Sequence, residues 1–185
     1  MEFFDVINEQ TGEPTGVIVP REVAHREGIC HRTAQVWVTR ERDGVREVLL
    51  QRRSVEKDSF PGLFDTSAAG HVSAGDEPLE TAVRELGEEL GIEATADQLS
   101  FAGTFRIGYE DVFHDCVFRD NEIAYVYAYL NDVAIEDLTL QEEEVSEVRW
   151  FTFDEVWEAV QAADSRFCVP AGGLKALRRA LDEIG

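Results

Sequence analysis

The spacing of apolar residues changes along the chain, and each spacing predicts an element. Alternating apolar residues or short apolar runs predict strands, over 3–7, 17–20, 34–39, 45–52, 99–107, 122–130 and 145–151. Apolar residues three or four positions apart predict helices over 78–90, 153–162 and 172–184. Strands before and after a helix, with helices closing the chain, predict an α/β protein: an α/β/α sandwich with a mixed β-sheet.

Length and composition indicate a single domain over residues 1–185. Of these residues 44% are hydrophobic and 10% aromatic, enough for a full core. No apolar run approaches the ~20 residues that span a bilayer, and the acidic start lacks a basic signal-peptide head, so we expect a cytoplasmic location. The three cysteines form no Cys-x-x-Cys pair, which favours reduced thiols: Cys30, Cys116 and Cys168.

The charge balance limits the partners. A formal net charge of -21 repels nucleic acid and anionic membranes, so neither is expected to bind. A small anionic substrate stays compatible with this charge, because a bound metal ion reverses the local sign. The sequence leaves open whether the chain forms a homodimer.

The helix predicted over 78–90 has clear end signals. Asp76 is a candidate N-cap, Pro78 suits the first turn, and Gly91 ends the helix. At roughly 100° per residue, its apolar side chains share one arc that should face the core. That arc consists of Leu79, Ala82, Val83, Leu86 and Leu90.

Three carboxylates lie side by side next to this arc: Glu85, Glu88 and Glu89, with Arg84 beside them. Glu85 and Glu89 are a like-charged i,i+4 pair, which destabilises a helix by a few tenths of a kcal/mol. A hard dication such as Mg²⁺ would compensate, since it takes oxygen ligands and leaves positions for phosphate oxygens. The alternative is a solvated acidic face.

Segment 70–92 resembles the Nudix box, a pattern of Gly, five residues, Glu, seven residues, Arg-Glu, an aliphatic residue, any residue, Glu-Glu, any residue, Gly and an aliphatic residue. Every fixed position matches except Asp76, which stands where the family has Glu. The resemblance implies a Nudix fold and Mg²⁺ or Mn²⁺ as cofactor. It also implies site roles: Glu85, Glu88 and Glu89 as metal ligands, Glu88 or Glu89 acting on water, and Arg84 orienting the glutamates.

Further segments up to about residue 151 are similar to the branch related to isopentenyl-diphosphate isomerase, among them 50–54 and 60–65. In that isomerase a catalytic cysteine precedes the Gly-His pair, whereas Ala69 precedes Gly70 here. The resemblance also implies a second metal site, at positions where that enzyme gathers its ligands. These are His25, His31 and His71 with Asp120 and Glu122; the alternative is hydrogen-bonded loop histidines.

Other residues have two interpretations each. Glu122 could complete the coordination at the helix or be a strand-edge charge, and 142–144 could bring a further glutamate to the metal or be a solvated loop. Arg52, Arg53 and Lys57 could clamp a diphosphate or balance surface charge. Some aromatic residues could stack on a base, although such residues are more often core: Trp37, Phe64, Tyr109 and Phe113.

The leading hypothesis is a Mg²⁺-dependent hydrolase that cleaves the pyrophosphate bond of a nucleoside diphosphate derivative or a similar organic diphosphate with water. The first alternative is isopentenyl-diphosphate isomerase, which Ala69 opposes. The second is a non-catalytic metabolite sensor, which the intact carboxylates oppose.

Overall fold

The computed structural model describes residues 2–57, 59–113 and 116–184, apart from the side chains of Phe113 and Cys116. Four α-helices lie in this part of the chain: α1 Arg21–Glu27, α2 Pro78–Leu90, α3 Phe153–Gln161 and α4 Ala171–Ile184. The strands are β1 Phe3–Ile7, β2 Pro14–Pro20, β3 His31–Arg42, β4 Val45–Arg53, β5 Phe64–Asp65, β6 Ala68–His71, β7 Leu99–Phe113, β8 Cys116–Tyr129 and β9 Val145–Thr152. None of the described helices is long and apolar enough to cross a membrane.

A mixed sheet of seven strands forms the middle layer, in the order β5-β4-β3-β8-β7, with β6 also paired to β3 and β9 to β4. Strands β3 and β8 run parallel, while the pairs β3–β4, β3–β6 and β7–β8 are antiparallel. Strands β1 and β2 form a separate antiparallel hairpin. The parallel pair places His31 opposite Glu122, and the β3–β6 pair places Thr33 opposite His71.

Helices cover both faces of the sheet, and each face has its own hydrophobic cluster. On one face α2 inserts Leu86 and Leu90, both fully buried, against β3 and β4. On the other face α3 and α4 bury Val156 and Leu174 around Trp37. Neighbouring residues of β4 therefore face different layers: Leu49 packs with α2, and Leu50 packs with α3 and α4.

The α/β class and the sandwich are confirmed, and α2 has the predicted bounds, because two layers packed on one sheet follow directly from the two apolar periods. Its C-terminal signal is also confirmed, since Gly91 adopts the left-handed conformation with φ 71°. The N-cap prediction was wrong. The N-cap residue is Glu77, without a side-chain cap hydrogen bond, and Asp76 lies before it.

The apolar pattern of the sequence does not predict helix α1, which carries His25. This helix has only seven residues, too few for a clear apolar period. Two local signals could have found it: Pro20 directly before it and Gly28, left-handed at φ 68°, directly after it. Strands β7 and β8 are also longer than their apolar patterns indicated, because much of their outer half is exposed and polar.

Candidate active site

Helix α2 does not present the three box glutamates, Glu85, Glu88 and Glu89, alike. Glu89 is buried, with 5% of its surface exposed, and its Oε2 accepts hydrogen bonds from Gln51 Nε2 at 2.8 Å and from the Ala69 amide at 3.2 Å. Burial raises the pKa of Glu89 to about 8, and the nearby Glu85 adds to the shift. A carboxylate kept in such a place needs a compensating cation when it is ionised.

Glu85 packs against the backbone of β6. A Cβ on Gly70 would lie 2.2 Å from Glu85 Oε1, so the glycine is needed where the side chain passes. Burial raises the pKa of Glu85, and the Arg84 guanidinium lowers it. Gly70, the first fixed residue of the box, thus acts sterically by leaving space for the carboxylate.

Arg84 bridges two of the box carboxylates. Its Nη1 lies 2.9 Å from Glu85 Oε1 and 3.2 Å from Glu88 Oε2. Glu88 is the most exposed of the three glutamates, with 54% of its side chain accessible. These ion pairs agree with the orienting role that the resemblance implies for Arg84.

The loop before β9 approaches the same end of the site. Burial is the main cause of the raised pKa values of Glu85 and Glu89, and the negative charge of Glu144 adds a small contribution to both. Glu144 also forms an ion pair with Lys57. The backbone fixes the loop, because the Gln141 amide donates to the Glu89 carbonyl at 3.1 Å.

The structure separates the two arginines that were predicted to act as a clamp. Arg53 faces the α2 side, where its Nη1 lies 3.1 Å from Asp65 Oδ2. Arg52 faces the α3 and α4 side, where its Nε donates to the Gly62 carbonyl at 2.9 Å and its guanidinium lies over the Phe64 ring. Successive residues of a strand point to opposite faces, so a joint clamp by adjacent arginines is not formed.

A second group of ionisable side chains lies where β3, β6, β8 and α1 meet. Two sets within the described residues have ligand atoms that all lie within 4.8 Å of one another: His25 with His31 and His71, and His31 with Asp120 and Glu122. His31 Nε2 lies 3.5 Å from Glu122 Oε1, and His71 Nε2 lies 3.3 Å from the same atom. Phe4 of β1 stacks on the rings of both histidines and covers the group.

Several buried polar atoms of this group have no hydrogen-bond partner among the described residues. They are both ring nitrogens of His25, Nε2 of His31, Nε2 of His71 and Oδ1 of Asp120. Buried polar atoms are normally satisfied, and leaving one unpaired costs about 1–3 kcal/mol. Imidazole nitrogens and carboxylate oxygens facing one point are the donor set of a transition-metal ion, so these residues fit a metal.

The charges within the group are consistent with this donor set. Burial lowers the pKa of His25 to about 3, so its imidazole is neutral at neutral pH. Burial and the neighbouring Glu122 raise the pKa of Asp120 to about 8. Burial opposes ionisation of Glu122, yet the facing imidazoles of His31 and His71 hold its pKa below the ordinary range.

Glu122 therefore lies with the histidines, as the resemblance to the isomerase branch implied, and not with the box glutamates, the other place considered for it. Its Oε2 accepts a hydrogen bond from Thr33 Oγ1 at 3.0 Å, and neither of the two sets of ligand atoms contains a box glutamate. The reason is the parallel register of β3 and β8, which sequence alone does not give. Strand β6 joins the two centres: Ala69 donates to Glu89, and His71 faces Glu122.

The aromatic candidates for base stacking have different surroundings. Trp37 is fully buried in the α3 and α4 cluster, and Phe64 packs on Phe151 there at 4.9 Å between ring centroids. Tyr109 lies opposite Asp120 in the β7–β8 pair and 6.1 Å from the Phe118 ring. The side chains of Phe113 and Cys116 lie outside the described part of the structure, as does all of His114. The other two cysteines, Cys30 and Cys168, are free thiols.

The fold and the glutamate-bearing helix define a class of α/β/α sandwich in which one acidic helix lies beside the sheet. The chain belongs to the NUDIX domain family, whose model matches residues 30–171. It is 44% identical over 156 residues to Nudix hydrolase 3 of Arabidopsis thaliana, and 38% identical over 145 residues to an uncharacterized Nudix hydrolase of Clostridium acetobutylicum. These matches cover 83% and 78% of this chain.

The chain spans 20% of the length of the Arabidopsis relative and 66% of the Clostridium one. Solved structures agree in fold. The structure of DR0079 from Deinococcus radiodurans matches with a TM-score of 0.68 at 21% identity, covering 96% of this chain and 98% of that one. The structure of a C. elegans Ap4A hydrolase matches with a TM-score of 0.56 at 21% identity, covering 82% of this chain and 98% of that one. The NUDIX domain of Shewanella oneidensis NrtR, complexed with ADP ribose, matches with a TM-score of 0.57 at 17% identity, covering 83% of this chain and 88% of that one.

Proposed function

We propose that this protein is a divalent-metal-dependent pyrophosphohydrolase that cleaves the pyrophosphate bond of a nucleoside diphosphate derivative or a similar organic diphosphate, with Mg²⁺ or Mn²⁺ as cofactor. The observation that carries the proposal is the buried Glu89, whose pKa is raised to about 8 next to Glu85. Family membership supports the same reaction class. Among the proteins of similar fold, one is an Ap4A hydrolase and another was solved with ADP ribose, which supports a nucleoside diphosphate derivative as the substrate class.

In this proposal Glu85, Glu88 and Glu89 hold the metal, and Arg84 keeps two of them in place through its ion pairs. A divalent ion held by these residues would supply Lewis-acid polarisation of the phosphoryl oxygens and activation of water. Glu144 is our candidate for taking the proton of the attacking water, because its loop is held to the helix by the hydrogen bond from the Gln141 amide to the Glu89 carbonyl. Arg53 and Lys57 lie on the α2 side and contribute positive charge toward the diphosphate.

The test is a panel of nucleotide sugars, dinucleotides and nucleoside diphosphates, assayed for Mg²⁺-stimulated release of phosphate or nucleotide. Glu89→Gln should nearly abolish turnover while the protein stays folded, because the amide oxygen still accepts the hydrogen bonds of Gln51 and Ala69 but lacks the negative charge that holds a cation. Glu80→Gln is the matched control, since Glu80 is exposed on the same helix. Near-normal turnover by pure Glu89→Gln would refute the assignment.

A second metal centre favours a second candidate function, isopentenyl-diphosphate isomerase. The group of His25, His31, His71, Asp120 and Glu122 fits a transition ion such as Mn²⁺ or Zn²⁺ better than Mg²⁺, because three of its ligands are imidazoles. Ala69 opposes this function, since it offers no thiol to move a proton. Incubation with isopentenyl diphosphate decides: formation of dimethylallyl diphosphate would establish isomerisation, and its absence would leave hydrolysis.

The charge of the chain bears on its partners. We propose a small-molecule substrate and no nucleic-acid polymer, supported by the net charge of -21. We also propose a cytoplasmic location, which is tested by fractionation of the cells that make the protein. A homodimer is compatible with this function and is tested by the mass of the protein in solution.

A further inference from the structure

Three arginines line one hollow on the face of the sheet opposite to α2. The hollow has a volume of about 320 Å³, and its lining includes Arg52 of β4, Arg149 of β9 and Arg166 of the segment after α3. Glu147 is the one acidic residue among the described residues of the lining. Basic residues are scarce in this chain, with 17 Lys and Arg against 38 Asp and Glu, so a lining of three guanidiniums against one carboxylate is unusual here.

Strand pairing brings the three arginines together. Arg52 is directly opposite Glu147 in the β4–β9 ladder, with Arg149 two residues further along the same face of β9. On the other side, Arg52 is opposite Phe64 of β5, whose amide donates to the Arg166 carbonyl at 2.9 Å. Arg52 is therefore central, with an arginine on each side.

A cluster of three phenylalanine rings holds the guanidiniums in position. Arg52 lies 5.9 Å from the ring centroid of Phe64, Arg149 4.9 Å from that of Phe151, and Arg166 5.1 Å from that of Phe167. The three rings contact one another, with centroids 4.9 to 5.9 Å apart. Stacking on a ring leaves the edge of a guanidinium, where its N–H groups point, available for a ligand.

Much of the hydrogen-bonding capacity of these guanidiniums is unused. Arg149 forms no hydrogen bond or ion pair with the described part of the chain, and its guanidinium instead lies over the Phe151 ring. Arg166 uses Nε and Nη2 on Asp164, and Arg52 Nη1 lies at a long 3.4 Å from Glu147 Oε2. Guanidinium forks of this kind bind phosphate oxygens bidentately.

We propose that this hollow is an anion site, separate from the glutamate helix, that binds a phosphate or diphosphate group of a small molecule without a metal ion. After Glu147 and Asp164, the ion-pair partners of Arg52 and Arg166, are counted, one positive charge remains, on Arg149, so the hollow favours an anion. The sheet lies between this hollow and the carboxylates of α2, so occupancy of the one does not require the other. Binding in this hollow is therefore independent of the proposed hydrolysis.

The test is calorimetric titration of the full chain with inorganic diphosphate in EDTA at low salt, where the glutamate helix has no metal to bridge to phosphate. We expect saturable binding of one diphosphate per chain. Arg149→Gln should weaken it by about tenfold or more, since a charged hydrogen bond contributes roughly 1.5–3 kcal/mol. Glu147→Gln should tighten it several-fold, because Arg52 loses its competing carboxylate.

Two control variants test whether the diphosphate binds in this hollow. Arg178→Gln removes an arginine that also stacks on a ring, that of Trp157 at 3.8 Å, but lies outside the hollow, so binding should not change. Glu89→Gln should likewise leave binding unchanged. No saturable binding, equal loss in Arg149→Gln and Arg178→Gln, or loss in Glu89→Gln would each overturn the proposal.

Discussion

Replacing Gly70 with alanine perturbs the proposed metal site without touching a charged residue. The added Cβ would lie 2.2 Å from Oε1, 2.3 Å from Cδ and 2.7 Å from Cγ of Glu85, all far below contact distance. The Glu85 side chain must therefore leave its present position. Since it is the end of a flexible side chain and not backbone, we expect a modest cost in folding, about 1–3 kcal/mol as for overpacking in general.

The consequence for function should be larger than that for stability. Mutating a residue that keeps a metal ligand in place typically lowers metal affinity or activity by about 10- to 100-fold. Gly70→Ala should therefore need at least about tenfold more Mg²⁺ for half-maximal hydrolysis, by the size of such ligand effects. The assays are Mg²⁺ titration of the rate on the best substrate of the panel, and the free energy of unfolding by urea.

The matched control is Gly87→Ala on α2 itself. The nearest neighbour of a Cβ there, outside the helix backbone, would be the Ile92 carbonyl oxygen at 3.8 Å, which is ordinary contact. Alanine is the better helix former by up to about 1 kcal/mol, so this variant should be as active as the original chain and slightly more stable. If Gly70→Ala kept the original Mg²⁺ dependence, the reasoning that Gly70 keeps a metal ligand in place would be refuted.

Three further predictions concern pH, the second metal and the core. Because the pKa of Glu89 is raised from 4.5 to about 8, the folded state binds more protons than the unfolded state between these pH values, and the contribution of Glu89 to stability falls as pH rises through them. In EDTA, the stability of the original chain should therefore fall more steeply over this pH range than that of Glu89→Gln. Equal slopes for the two proteins would refute the pKa shift. With the glutamate helix saturated by Mg²⁺, added Zn²⁺ should raise the thermal midpoint further, and His31→Ala should abolish that further rise; a rise that persists in this variant would place the zinc ion elsewhere. Leu86→Ala should lower the free energy of unfolding by about 2–5 kcal/mol, because Leu86 is fully buried under α2; a loss below about 1 kcal/mol in urea unfolding would contradict the packing.

The helix with its glutamates could be predicted because its signals are local. Pro78, Gly91 and the apolar arc lie within one segment, and periodicity with these end signals predicts the bounds that the structure has. The burial of Glu89 could not be predicted in this way. It depends on Gln51 of β4 and the Ala69 amide of β6, which approach from distant parts of the chain.

For the histidine group, the sequence likewise identifies the residues but not the contacts between them. The resemblance supplied the residue positions, whereas their meeting depends on the pairing of β3 with β6 and β8. Of the places considered for Glu122, the structure has the one beside the histidines, because β8 pairs with β3, and a strand pattern does not say which neighbour a strand will have. The separation of Arg52 from Arg53 follows from strand alternation, and only the layers of the sandwich showed which face each residue joins.

By itself the sequence determined the fold class, the bounds of α2 and the carboxylates and imidazoles available for metals, because apolar period, end signals and residue type are properties of short segments. Tertiary structure alone decided the surroundings of other groups: it buried Glu89 beside β6 and brought three arginines together on the far face. The physical reason is that strand register and packing fix the distances between residues far apart in the chain, and proximity sets both charge interactions and ligand geometry.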